Sequence, residues 1–173
     1  MARLLTEINI KVTGRSRLSI EFILQVQSLI MPCLNPFPLP DRLEPNLQSV
    51  VSFWKRLRRA ENGMPFADDL KFSDLSTLSA KPFVLTVFTL PERFRFEFLG
   101  KGLQAAAVAG RFIDEISVDT SFSYLRAQSS ATLEAAAPTL LRLTEDSGRR
   151  FGRVLLPMWG SGQVSMLLGA VDS

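Results

Sequence analysis

Two pairs of neighbouring acids and one tyrosine are the residues whose types could support catalysis in this sequence. Asp68-Asp69 and Asp114-Glu115 could act as general acid and base groups. Adjacent residues on a loop or a helix point in different directions, so neither pair converges on one substrate by its spacing. Tyr124 could donate a hydrogen bond to a bound carbonyl, but a lone tyrosine more often packs with its hydroxyl at the edge of a core. We therefore interpret the acids as caps and solvated turns and predict no catalytic residue.

Two basic features could bind phosphate or nucleic acid. Gly100-Lys101-Gly102 begins like a phosphate-binding loop, but it lacks the further glycines and the Lys-Ser/Thr ending that such loops need. A cluster of cations ends a predicted helix, where it favours the helix dipole, and we interpret it as a solvated face. The net charge of +3 is also too small to imply nucleic acid, so we predict no nucleic-acid partner. The cluster consists of Lys55, Arg56, Arg58 and Arg59.

The composition excludes several kinds of site. Histidine is absent and Cys33 is the one cysteine, which removes Ser-His-Asp and Cys-His pairs and histidine-ligated zinc or haem. We therefore expect neither haem nor metal and leave the cofactor unknown. A single thiol fits a reducing compartment, so we expect a cytoplasmic protein. No apolar run approaches the roughly 20 residues of a membrane helix, and we expect no membrane span.

An amphipathic helix is predicted from Pro45 to Ala60, with Gly63 just beyond its end. Its apolar residues recur at helical spacing and form a single stripe. Exposed apolar residues such as Phe53 favour an interface, so we expect this helix to contact a protein partner or a second copy in a homodimer. The candidate interface residues are Leu47, Val50, Phe53, Trp54 and Leu57.

Residues 81–100 are predicted to form two strands joined by a turn at Pro91. In the second strand Phe94, Phe96 and Phe98 alternate with charged residues, which predicts that the three rings share one face. The segments 103–110 and 120–137 have helical patterns, and three further strands are predicted at 138–144, 150–158 and 163–171. In the last strand, one side is expected to carry Val164, Met166, Leu168 and Ala170.

The element order predicts an α+β domain with a five-stranded antiparallel sheet, short helices on one face and a preceding amphipathic helix. We expect the domain at 45–173. Residues 1–44 are predicted to be an extension, with a helix at 20–31 and a proline-rich linker after it.

This element order is that of a PAS domain, and the chain resembles an alphaproteobacterial PAS family in which an aromatic-rich helix precedes the domain. The similarity extends from about Leu47 to Asp172. It implies that the first and last strands lie side by side in the centre of the sheet. It also implies a sensory or regulatory module, since some members are linked to cyclic-di-GMP-dependent control. The matching segments are Phe53–Arg58, Met64-Pro65, Asp74-Leu75, Arg95–Gly100, Gly110–Glu115, Leu155–Pro157 and Met166–Ala170.

We expect any pocket to lie between the sheet and the short helices, where it would take a small apolar ligand. The leading hypothesis is a stand-alone PAS-type sensory or regulatory domain without enzyme activity. The alternative is a small cone-shaped α+β enzyme that acts on an apolar molecule through Asp114 and Tyr124. The candidate pocket residues are Phe96, Phe98, Leu103, Phe112, Tyr124, Met166 and Leu168.

Overall fold

The computed structural model describes residues 35–59, 62–103, 108–116, 120–144, 148 and 150–172. The helix predicted at 20–31, and most of the one predicted at 103–110, lie outside these residues. The α-helices are α1 (Pro45–Leu57), α2 (Phe72–Leu75) and α3 (Leu125–Ala135). Short 3₁₀ helices span Ala67–Asp69, Ile113–Glu115 and Thr120–Phe122. The strands are β1 (Lys81–Thr89), β2 (Glu92–Leu99), β3 (Thr139–Thr144), β4 (Arg150–Gly160) and β5 (Gln163–Asp172).

The strands form one antiparallel sheet in the order β2-β1-β5-β4-β3. The first and last strands are therefore adjacent in the centre, as the PAS arrangement requires. Short helices pack against the sheet, and α1 precedes it in the chain. The predicted fold class, a PAS-like α+β domain, is confirmed.

Helices cover both faces of the sheet, and each face has its own apolar core. On the face that we call the α1 face, residues of α1 and α2 pack against Val84, Leu156 and Leu168. On the opposite face, which we call the α3 face, α3 and the later 3₁₀ helices pack against Phe83 and Leu155. Burial on both sides explains why β1, β4 and β5 are apolar almost throughout instead of alternating.

A β-bulge changes the face that the last phenylalanine of β2 reaches. Opposite the Val84–Leu85 step of β1, strand β2 contains one extra residue, Glu97. An extra residue reverses the alternation of a strand. Phe94 and Phe96 therefore pack on the α3 face and Phe98 on the α1 face. The prediction that the three rings share a face is wrong.

A second bulge divides β5 in the same way. The register shifts at the Met158–Trp159 step of β4, which leaves Ser165 as the extra residue of β5. Val164 packs on the α3 face, whereas Met166 and Leu168 pack on the α1 face. The prediction of one common side for these residues is therefore wrong at Val164.

The helix predicted from residue 120 to residue 137 is interrupted at its start. Tyr124 has a φ of 59°, in the left-handed region that ends or delays an α-helix. A 3₁₀ turn, Thr120–Phe122, precedes this residue and the α-helix α3 follows it. The turn and the helix can thus approach the α3 face from different directions.

The described part of the predicted linker lies along β3. The Leu140 N–H donates to the Phe37 carbonyl at 3.1 Å, so residues just before α1 add to the edge of the sheet. Further along, Arg142 Nε lies 2.8 Å from Glu44 Oε1.

Among the described residues, no helix is both long and apolar enough to span a membrane.

Helix α1 is fixed to β4 by a buried hydrogen bond. The Trp54 indole Nε1–H donates to the Pro157 carbonyl at 2.9 Å, and the indole is 3% exposed. Indole N–H groups that are buried normally need such an acceptor.

Trp54→Phe should lower the free energy of unfolding by about 1–3 kcal/mol, because the Pro157 carbonyl loses its donor inside the core. Chemical denaturation measures this change. Trp159→Phe is the matched control, since that indole is 38% exposed, and it should change stability by no more than about 0.5 kcal/mol. Equal effects of the two substitutions would show that this hydrogen bond does not fix α1.

Candidate functional site

The structure does not bring the predicted pocket residues together. Phe96 and Leu103 lie on the α3 face. Tyr124 is 67% exposed, and Phe112 lies beside the edge strand β2. The bulges and the double coverage of the sheet cause this separation. The remaining candidates pack on the α1 face, and these are Phe98, Met166 and Leu168.

A cluster of three phenylalanines fills the α3 face. Phe122, from the 3₁₀ turn before α3, contacts Phe83 edge-on, with ring centroids 5.6 Å apart and planes at 87°. Its centroid is 5.2 Å from that of Phe96. Such ring pairs contribute about 0.5–1.5 kcal/mol each beyond their buried area. The Phe122 ring therefore occupies the space between the sheet and the short helices where a pocket is expected.

One buried arginine holds the turn that carries Phe122. Arg153 is on β4 and is 0% exposed. Its Nη1 donates to the Ser121 carbonyl at 2.7 Å and its Nη2 to the Ser123 carbonyl at 2.9 Å. The two carbonyls belong to the residues on either side of Phe122. The guanidinium thus fixes the main chain on both sides of the ring that it places against the sheet.

The hydrogen-bond acceptors of the Arg153 guanidinium are uncharged groups. Its Nε donates to Gln128 Oε1 at 2.9 Å. Among the described residues no carboxylate forms an ion pair with it. Burial lowers the pKa of Arg153 to about 9, so the side chain is still cationic at neutral pH. A cation that is buried among neutral acceptors, as this one is in the described part of the chain, is rare because its desolvation is costly.

The buried face of α3 continues this polar network. Gln128 Nε2 donates to Thr139 Oγ1 at 3.2 Å and to the Arg153 carbonyl at 3.1 Å. The Thr132 and Thr139 hydroxyls lie 2.6 Å apart. Ser129 Oγ, on the same helix, is buried without a hydrogen-bond partner. The end of the α3 face near β3 is therefore polar, and it adjoins an aromatic region.

The apolar stripe of α1 is used inside the domain. Phe53 is 8% exposed, so it is not the outward residue that we expected. Since these side chains pack on the sheet, they are not available for an interface with another chain. The stripe residues Leu47, Val50, Phe53 and Trp54 belong to the core of the α1 face, and Leu57 packs against it.

A cavity of about 320 Å³ lies beside Phe98, between α2 with the loop after it and the neighbouring ends of β1 and β2. The Phe98 and Phe72 rings line it, with centroids 5.3 Å apart. Gly100 also lines it, and a Cβ there would lie 2.7 Å from Pro82 Cδ. The glycine of the Gly-Lys-Gly segment therefore allows close packing on β1.

Arginines contact both acid pairs. Arg93 Nη2 lies 2.9 Å from Asp114 Oδ2 and 2.7 Å from Glu115 Oε1, and its guanidinium carbon is 3.7 Å from the Phe112 ring centroid. The hydrogen bond from Arg93 lowers the pKa of both carboxyls. Similarly, Arg59 pairs with Asp69. Asp69, Asp114 and Glu115 are therefore ion-pair partners at the surface.

Sequence reasoning missed Arg153 and Gln128. The available signal was the isolated charge in the apolar strand FGRVLLPM, since an arginine on a two-sided buried strand must find acceptors. Its partners could not be inferred because two of them are main-chain carbonyls.

Among the described residues, no group of three His, Cys, Asp or Glu side chains could hold a metal ion.

The solved structures that are similar to this chain include two domains of sensory proteins. The PAS domain of the histidine kinase ThkA is 16% identical to this chain, and the two structures superimpose with a TM-score of 0.40. The alignment covers 54% of this chain and 99% of that one. An RNA-binding light-oxygen-voltage receptor is 17% identical, with a TM-score of 0.36. That alignment covers 79% of this chain and 36% of the receptor chain. No protein-family model and no curated protein matches the sequence. Likenesses this weak carry no functional argument, and the PAS-like fold rests on the order of the strands.

Arg93→Gln should raise the pKa of Asp114 and Glu115 towards ordinary values, because the cation that stabilises both carboxylates is removed. In the wild type, the small stabilisation from this pairing is present above the ordinary carboxyl pKa values. It is lost as the pH falls through the lowered ones. Carboxyl ¹³C NMR titration measures the shift, and Arg95→Gln on the same strand is the control, because Arg95 pairs with Glu97. Unchanged pKa values in Arg93→Gln would contradict this assignment.

Proposed function

We propose that this domain is a sensory or regulatory module of the PAS type, without catalytic activity, that binds a small apolar molecule on its α3 face. The order of the strands supports the PAS type, and the motifs shared with the alphaproteobacterial family support that finer assignment. The signal passes to a protein partner or a second copy of the chain. We place the protein in the cytoplasm, where a single thiol stays reduced.

The observation that carries the proposal is the insertion of Phe122 between the sheet and the short helices. The ring comes from a short turn, and Arg153 ties the main chain of that turn to the sheet. A ring supplied by a turn can be withdrawn with less disruption than a ring on a strand of the sheet, such as Phe83 or Phe96. Withdrawal would open an apolar space bounded by aromatic side chains, which is the usual lining of a small-molecule site.

The alternative of a small enzyme is not supported by the acids that it would use. A raised pKa of Asp114 would support that hypothesis, whereas the hydrogen bond from Arg93 lowers it. Tyr124 is 67% exposed and has no enclosed space around its hydroxyl to exclude water. The α3 face instead offers apolar rings and one cation, which can bind a molecule without transforming it.

The partner interface must involve side chains other than the α1 stripe. Large apolar side chains remain exposed elsewhere in the described part of the chain, and such side chains favour association when they adjoin one another. We assign no surface to the partner. The exposed residues are Phe72, Phe88, Leu90, Tyr124 and Trp159.

Native mass spectrometry of freshly purified protein tests ligand binding directly. The expected spectrum shows a mass above that of the polypeptide, and the excess disappears after denaturation because the ligand is held by the fold. The released molecule would identify the signal, and the dimer fraction in the same spectrum would test self-association. A bare polypeptide mass, with no uptake of apolar molecules added afterwards, would contradict the proposal.

Phe122→Ala should create a cavity at the proposed site and allow benzene to bind, as dry apolar cavities of this kind do. The substitution itself should cost about 3–5 kcal/mol, and benzene at tenfold its Kd should restore about 1.4 kcal/mol. Thermal unfolding with and without benzene measures both effects. Phe98→Ala is the matched control, because that half-buried ring lies on the α1 face beside an open cavity. An equal benzene effect in the two variants would contradict the site.

A further inference from the structure

Arg153 is completely buried, and its hydrogen-bond acceptors among the described residues are all uncharged. Two main-chain carbonyls and one amide oxygen accept its hydrogen bonds, and desolvation lowers its pKa to about 9. Hydrogen bonds from a cation to an anion are shorter and roughly twice as strong as those to neutral acceptors. An anion that reached this guanidinium would therefore replace weaker interactions with stronger ones.

The two donors that hold the turn are also the donors that a guanidinium uses to bind a carboxylate. Nη1 and Nη2 each bind one oxygen, at 2.7 and 2.9 Å, from Ser121 and Ser123. Two parallel N–H···O bonds are also the geometry in which a guanidinium binds a carboxylate. The carbonyls of Ser121 and Ser123 thus hold the two Nη donors that a bound carboxylate would use.

The same carbonyls flank Phe122, whose ring fills the apolar space beside the arginine. We propose that the ligand of the α3 face is a small apolar carboxylate. Its carboxylate displaces the Ser121 and Ser123 carbonyls from Arg153, and its apolar body takes the place of the Phe122 ring. This inference rests on the proposed function and adds the chemical class of the ligand and its effect on the domain.

The exchange connects binding to a movement of the chain. Loss of the bonds to Arg153 removes two hydrogen bonds that tie the turn 121–123 to β4. Tyr124, with its left-handed φ of 59°, joins this turn to α3. The Nε bond to Gln128 keeps the guanidinium oriented, because Gln128 is itself held by Thr139. The arginine thus stays in place while the turn is released, and the start of α3 carries the change to the surface.

Titration of the wild-type protein with octanoate and with 1-octanol tests the ligand class. The two probes share an apolar chain, and octanoate alone is ionised at neutral pH. Octanoate should bind at least about tenfold more tightly, since it adds charge-assisted hydrogen bonds. In ¹H–¹⁵N spectra it should shift the Arg153 Nε–H resonance and the amides of residues 121–124. Octanol should shift mainly signals around the phenylalanine cluster.

Arg153→Lys keeps the charge but loses the two-pronged guanidinium, so the ratio of octanoate affinity to octanol affinity should fall from at least about tenfold to near one. Arg142→Lys is the control, because Arg142 is exposed and paired with Glu44, and it should keep the full preference. If Arg153→Lys does not fold, the wild-type affinity ratio and the Arg153 Nε–H resonance decide. Equal affinities with no shift of that resonance would overturn the inference but leave an apolar site intact. Binding of neither probe would overturn the proposed function as well.

Discussion

The buried guanidinium of Arg153 is the constraint on which the α3 face depends. A cation that is removed from water requires acceptors in fixed positions. The acceptors here are the carbonyls on either side of Phe122 and the amide oxygen of Gln128. One side chain therefore joins β4, the turn before α3, and α3 itself. The aromatic core follows from this, because the held turn places the Phe122 ring against Phe83 and Phe96.

The sheet separates the core that contains Arg153 from the core on the α1 face. Its strands are buried on two faces, and the bulges at Glu97 and Ser165 direct neighbouring side chains to opposite cores. Phe96 thus contacts the Phe122 cluster, while Phe98, two residues further, lines the cavity beside α2. The α1 face is fixed by Trp54 and its bond to β4. The proposed sensory role requires a stable α1 face and release of the turn on the other face.

Most of the fold could be predicted from the sequence, because its signals are local. Helical periodicity identified α1, alternation and turn residues identified the five strands, and the central placement of β1 and β5 followed from the resemblance. The site could not be predicted to the same extent. One extra residue in a strand reverses every later side chain, and nothing local in the sequence marks Glu97 as a bulge. Partners such as the Ser121 carbonyl are main-chain atoms brought to Arg153 by tertiary structure alone.

A crystal structure of the wild-type protein with saturating octanoate is the most direct test of the account. We expect the carboxylate oxygens within about 3 Å of Arg153 Nη1 and Nη2, as in other paired guanidinium and carboxylate groups. The Phe122 ring should no longer contact Phe83 and Phe96, and the Gln128 bond to Nε should remain. A structure in which Ser121 and Ser123 still accept from Arg153, with octanoate bound elsewhere or absent, would contradict the account.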